Sequence, residues 1–116
     1  MATDFDVIIC GAGPAGCTAA LTLGSSGLKI ALIDKKKSPR EKTCGDAIPA
    51  FIPKVLNTIN PEYAIAFEGL AEKNKVNICR IVSPGEKSLD LKFSEYGYIC
   101  RRIIFDAFLF DLAGQL

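Results

Sequence analysis

The sequence has 116 residues, a formal net charge of +1 and 49% apolar residues. That composition suits one domain at most, with strands covered on both faces, and gives no reason to expect a nucleic acid partner. With no histidine in the chain, an imidazole base, a Ser-His-Asp triad and most metal sites are excluded.

An apolar strand from Phe5 to Cys10 runs straight into three glycines, Gly11, Gly13 and Gly16. Their spacing is that of the turn joining strand to helix in dinucleotide-binding βαβ units, where the backbone must come close to a diphosphate and the helix must pack tightly on the sheet. Pro14 stands at the first helical turn, where its missing N–H costs nothing. A helix-forming run follows from Cys17 to Leu23, then a second apolar strand from Leu28 to Ile33 that stops on Asp34. The unpaired first-turn N–H groups and the helix dipole make the helix start a dock for a diphosphate. Asp34 lies 18 residues past Gly16, close to the spacing of about 20 at which a carboxylate takes the ribose hydroxyls of an adenosine. A glycine-rich turn in an ordinary α/β protein is the bland alternative. Both strands, all three glycines and the acid together favour an adenine-dinucleotide site.

The loop from Lys35 to Asp46 carries five cations and one acid before Thr43. Lys36 and Lys37 read as solvated surface, whereas Arg40 and Lys42 lie beside Cys44-Gly45-Asp46 on a loop leaving the carboxyl end of a strand, the edge where open α/β sheets bind ligands. Residues 48–59 predict a short helix with Pro49 near its start, ended by Asn60-Pro61; residues 62–75 read as loop with a helical turn. Val76 to Val82 and Ser88 to Phe93 form a hairpin about Ser83-Pro-Gly-Glu86, and Gly97 to Cys100 a separate short strand. A last helix starts at about Arg102 and is still running at Leu116, with Ile104, Phe105, Phe108, Leu109 and Leu112 on one stripe. The five cysteines are an odd number with no C-x-x-C pair. They argue for reduced thiols in a cytoplasmic protein, with Cys10, Cys17, Cys79 and Cys100 as small buried hydrophobes. No apolar run reaches the length of a membrane span, and Met1-Ala-Thr-Asp4 has no basic leader character.

Four segments taken together, Asp6 to Gly16, Asp34-Lys35, Lys42-Thr-Cys-Gly-Asp-Ala47 and Arg102-Ile-Ile-Phe-Asp106, resemble the FAD-dependent geranylgeranyl reductase family. That family sits in the para-hydroxybenzoate hydroxylase-like group of flavoproteins, beside flavin halogenases and electron-transfer dehydrogenases. The resemblance implies that the backbone of Gly11, Gly13, Pro14, Ala15 and Gly16 holds the FAD diphosphate and that Asp34, where the family more often has Glu, takes the ribose. It places Lys35 at the adenine side and Arg40 against the cofactor. Cys44, Gly45 and Asp46 lie along the flavin face, and Arg102 reaches the FAD. Cys44 is the catalytic candidate, as a polar contact or proton donor whose thiolate Lys42 favours; a packing role in a tight turn is an equal alternative. The implied reaction is reduction of alkene bonds in an isoprenoid-type or other apolar substrate, with NAD(P)H as a candidate electron donor.

The expected fold class is α/β, a Rossmann-like FAD-binding βαβ unit with an appended β-hairpin and helices, incomplete as an FAD domain because no third parallel strand follows. Residues 1–116 are thus expected to form the N-terminal part of a single FAD/NAD(P)-binding domain. The family's later Gly-Asp segment for the ribityl chain and its substrate region are not in this sequence. Three alternatives stay open: a flavin monooxygenase or halogenase, an NAD(P)-binding module, and a truncated fragment without turnover. Peripheral membrane contact and self-association through exposed strand edges are expected besides.

Overall fold

The computed structural model describes residues 4–116 as four helices and five strands in two small sheets. β1 (Val7–Cys10) and β2 (Ile30–Ile33) pair in parallel, Val7 opposite Ile30 and Cys10 opposite Ile33, and α1 (Pro14–Leu23) crosses between them. This is the βαβ unit expected from the glycine spacing, with Pro14 in the first turn of α1 and the Cys17 to Leu23 run forming the rest of the helix. Side chains alternate along β1, so Ile9 and Leu32 turn towards α1 and the core while Ile8 and Ile33 lie on the open face, 60% and 51% exposed.

The second sheet has the order β3-β5-β4, all antiparallel: β3 (Ala47–Ile48), β4 (Asn74–Val82) and β5 (Ser88–Ile99). The hairpin turns on Ser83 to Lys87, where Ser83 donates to the Lys87 carbonyl at 2.8 Å and Glu86 adopts φ 60°. β5 runs unbroken through the residues expected to separate two strands, because β4 follows it past a bulge between Val76 and Ile78. The hairpin leaves Ile81, Leu89 and Phe93 more than half exposed.

Two helices join the sheets. α2 (Ile52–Ile59) starts four residues later than the predicted position 48, because Ala47 and Ile48 are drawn into pairing with Ile99 and Tyr98. α3 (Pro61–Glu68) occupies the segment expected to be mostly loop. Asn60 both closes α2 and caps α3, its side-chain oxygen accepting from the Glu62 N–H at 3.0 Å, with Pro61 at the first turn. Asn60→Ala is expected to cost about 1 kcal/mol, the usual worth of such a cap, read as a lower midpoint in urea unfolding. An unchanged midpoint would remove the cap from the account of α3.

α4 (Arg102–Ala113) ends on Gly114 and does not run to the final residue. It packs against α1 and lays Phe105 and Leu109 into the core. Phe67 of α3 is fully buried there, its ring 5.1 Å from Tyr98 and 6.1 Å from Phe105, both edge-on, the geometry aromatic quadrupoles favour. The Tyr98 hydroxyl donates to Glu68 at 2.8 Å. Cys17 and Cys100 are buried as expected. Cys10 and Cys79 are exposed instead, since each lies on a sheet face that no other element covers. All five thiols are free. Among the described residues no helix is long and apolar enough to cross a membrane.

Candidate functional site

The glycine turn has the backbone its sequence requires. Gly11 stands at φ 111°, a region L-residues avoid, and its N–H donates to the Ile33 carbonyl at 2.7 Å. Gly16 is pressed so closely on this turn that a Cβ there would overlap the Gly11 carbonyl oxygen. Helix α1 begins with Gly13 as its N-cap, Pro14 in the first turn and no side-chain cap. Its first N–H groups therefore stay available to an anion.

Asp34 closes the other side of this turn. Its carboxylate accepts the Ala12 N–H at 2.8 Å and the Lys36 N–H at 2.8 Å, and Arg40 Nη1 lies 2.9 Å from both oxygens. The Arg40 guanidinium and then these backbone donors hold its carboxyl well below the ordinary carboxylate range. Cys10, Gly11, Ile33, Asp34, Lys35 and Arg40 line an open hollow of about 580 Å³. The expected residues Gly11, Gly13, Pro14, Ala15, Gly16, Asp34, Lys35 and Arg40 thus gather at one end of β1 and β2.

A second cleft, of about 280 Å³, is lined by Lys42, Cys44, Asp46 and Arg102 among others. In the Cys44-Gly45-Asp46 step the left-handed residue is Asp46, at φ 59°, and not the glycine. The Asp46 carbonyl accepts the Cys100 N–H at 2.9 Å and its carboxylate accepts the Arg102 N–H at 3.1 Å. The loop is thereby pinned to the start of α4, which offsets the cost of that conformation. Cys44 is exposed. The Asp46 backbone N–H, and next the Arg102 guanidinium, bring its thiol below the ordinary value. The cation expected for this role was Lys42; Arg102 takes it.

Asp106 is the residue that sequence reasoning left without a role. It is 4% exposed and takes Arg102 in a fork, Nε to Oδ1 at 2.7 Å and Nη2 to Oδ2 at 3.0 Å. The signal was present as an Arg and an Asp four residues apart on one helix face. Cys17 lies buried in α1, its Sγ 3.4 Å from the Ala12 carbonyl. Burial raises its thiol first, and the carboxylates of Asp106 and Asp34 add to this. Among the described residues no group of three or more His, Cys, Asp or Glu is placed to hold a metal ion.

Uncapped helix N–H groups, a close-packed glycine turn and a carboxylate at the far end fit a nucleoside diphosphate. Comparison with known proteins agrees. Residues 6–44 match the FAD binding domain. The chain is 32% identical over 114 residues to the geranylgeranyl diphosphate reductase of Rhodobacter capsulatus, an alignment covering 96% of this chain and 26% of that protein. It is 33% identical to the digeranylgeranylglycerophospholipid reductase 1 of Methanothermobacter thermautotrophicus, over 94% of this chain and 27% of the relative. It therefore spans about a quarter of the length of these relatives.

Among solved structures, a flavoprotein/dehydrogenase from Cytophaga hutchinsonii matches 96% of this chain and 28% of its own, with a TM-score of 0.77 and 26% identity. The halogenase PltM, solved with phloroglucinol and FAD, matches 97% of this chain and 26% of its own with a TM-score of 0.71; at 20% identity that likeness concerns the fold alone. The chain thus carries a match to the FAD binding domain at residues 6–44, is similar over nearly its whole length to part of two reductases of geranylgeranyl compounds, and has the fold of a solved flavoprotein.

Proposed function

We propose that this chain forms the ADP-binding part of an FAD-dependent reductase that acts on alkene bonds of an isoprenoid-type or other apolar substrate. The observation that carries the reading is the joined arrangement of a close-packed Gly11–Gly16 turn, an uncapped α1 and Asp34 bonded to the Ala12 N–H. The two relatives cited above, which match 94–96% of this chain at 32–33% identity, are named as reductases of geranylgeranyl compounds, whereas the halogenases resemble the chain only in fold. FAD, when bound, supplies the two-electron chemistry.

In this reading the backbone from Gly11 to Gly16, with Pro14 and Ala15 between, receives the diphosphate, and Asp34 accepts from the ribose. Lys35 borders the adenine side and Arg40 supplies positive charge. Cys44, with Gly45 and Asp46, faces the flavin, and Arg102 with its Asp106 partner orients that loop. Cys44 holds or yields a proton there, which its lowered thiol value and its exposure both suit. NAD(P)H is proposed as the electron source. A cytoplasmic location and association through uncovered strand edges complete the proposal.

Titration of FAD into the protein, followed by quenching of flavin fluorescence, is expected to saturate. Asp34→Asn is expected to weaken binding by roughly tenfold or more, the worth of hydrogen bonds to an ionised acceptor. In a protein that carries this chain together with the remaining length of its relatives, supplied with FAD, a reductant and geranylgeranyl diphosphate, the product should gain one H2 per alkene bond by mass spectrometry. An oxygenated or halogenated product would replace the reductase reading with its flavin alternative. Failure of FAD to bind would remove both.

A further inference from the structure

Asp34 has its acceptor capacity taken up by the protein itself. Oδ1 faces the Lys36 N–H at 2.8 Å and Oδ2 the Ala12 N–H at 2.8 Å, while Arg40 Nη1 reaches both oxygens at 2.9 Å. A carboxylate offers about four lone-pair positions, and the Asp34 side chain is only 10% exposed. A ribose diol therefore gains access to this carboxylate only when one donor departs.

Two of the three donors are fixed, because they are backbone groups of the glycine turn and of the residues after β2. Arg40 is the movable one: its side chain is 29% exposed and projects from a loop without regular structure. Its second terminal nitrogen already faces the diphosphate end of the site, since a Cβ on Gly13 would lie 3.7 Å from Nη2. The guanidinium thus bridges the ribose acceptor and the turn where phosphate docks. A planar fork of donors is well matched to either carboxylate or phosphate.

We infer that Arg40 is a specificity-determining residue that makes the ribose acceptor accessible only to a ligand carrying phosphate. The inference rests on the FAD reading above and deepens it. A diphosphate arriving at the Gly13 turn draws the guanidinium from Asp34, so one charge-assisted contact replaces another and the carboxylate is released for the ribose. A nucleoside without phosphate must break the Asp34–Arg40 pair with nothing in exchange. Its apparent affinity falls by the fraction of molecules in which the pair is open. The site in this way selects ADP-containing ligands over nucleosides by more than their direct phosphate contacts.

The test is a crossed titration. Adenosine, ADP and FAD are added separately to the 15N-labelled wild-type chain, to Arg40→Gln and to Arg40→Lys, following the Ala12 and Lys36 amide signals that report on Asp34. Arg40→Gln is expected to bind adenosine about threefold more tightly, as an opened ion pair of modest strength allows, and ADP and FAD about tenfold more weakly, as a lost charged contact demands. Arg40→Lys is expected to weaken FAD less than Arg40→Gln does and to bind adenosine more tightly than wild type, because a point cation still serves the phosphate but cannot fork onto Asp34. Should Arg40→Gln lose its amide dispersion, Arg40→Lys decides alone, through a gain for adenosine with FAD retained. Equal weakening of adenosine and ADP, or adenosine binding that does not change, would overturn the gating role while leaving the FAD reading intact. A wild-type chain that binds neither ADP nor FAD would remove the FAD reading and this inference together.

Discussion

Gly16→Ala is expected to abolish the nucleotide site and to destabilise the chain more than any other single-methyl addition in it. The new Cβ would overlap the Gly11 carbonyl oxygen and sit 2.9 Å from the Gly11 carbonyl carbon and 3.3 Å from Ile9 Cγ2. Ordinary overpacking costs about 1–3 kcal/mol because side chains can shift. Here the obstacle is backbone already committed to φ 111° at Gly11, so the cost should exceed about 3 kcal/mol. Relief requires α1 to move away from β1, which carries its first N–H groups away from the diphosphate position.

Gly13→Ala is the contrast. Its Cβ would meet only Arg40 Nη2, at 3.7 Å, so urea unfolding should stay near wild type while FAD binding weakens through lost backbone approach. Near-native stability and FAD affinity in Gly16→Ala would contradict the packing argument, as would equal unfolding of both variants.

Asp106→Ala is expected to be nearly as damaging, through charge and not volume. The carboxylate is buried, and Arg102 beside it is 22% exposed. Removing one member of a fully buried pair costs about 3–5 kcal/mol because the other charge is stranded; partial access of water to Arg102 brings the expected loss to about 2–3 kcal/mol. Asp90→Ala provides the control, since its partner Arg80 is 65% exposed and no shift of the unfolding midpoint is expected from so open a pair.

A second readout separates positioning from mere stability. The Cys44 thiol is lowered by the Asp46 N–H and by Arg102, so the folded state favours the thiolate. The resulting stabilisation is complete above the ordinary thiol value and is lost as pH falls through the lowered folded-state value. Alkylation of Cys44, resolved by peptide mass spectrometry, should therefore set in at lower pH in the folded chain than in urea. In Asp106→Ala, with Arg102 no longer tethered, it should move back towards the unfolded profile. An unmoved profile would mean that Arg102 does not act on Cys44 through Asp106.

The parts of the fold legible in the sequence are those encoded by neighbours. β1, the glycine turn, α1, β2 and Asp34 follow from spacing within one short stretch, and α4 from its stripe of Ile104, Phe105, Phe108, Leu109 and Leu112. β3 was not legible, because Ala47 and Ile48 become a strand only by pairing with Ile99 and Tyr98 far along the chain. α3 was hidden by Asn60-Pro61, a stop for one helix that is also the cap of the next. Exposure of Cys10 and Cys79 depends on which faces are covered, and local composition does not report that. In the site, Asp34 and Arg40 were both picked out, yet their direct pairing arises from the path of the intervening loop. The choice of Arg102 over Lys42 as the partner of Cys44 likewise depends on where α4 begins.

The short β3 has a kinetic consequence. Its pairing with β5 closes a loop of roughly 50 residues, whose entropy must be met before the contact yields anything. The Cys44-Gly45-Asp46 loop is held by that pairing on one side and by the Cys100 and Arg102 N–H groups on the other. It is expected to acquire its shape only after the hairpin and α4 are in place. The glycine turn closes over a short stretch, so the two halves of the site are expected to mature in sequence, the nucleotide cradle first and the thiol loop last.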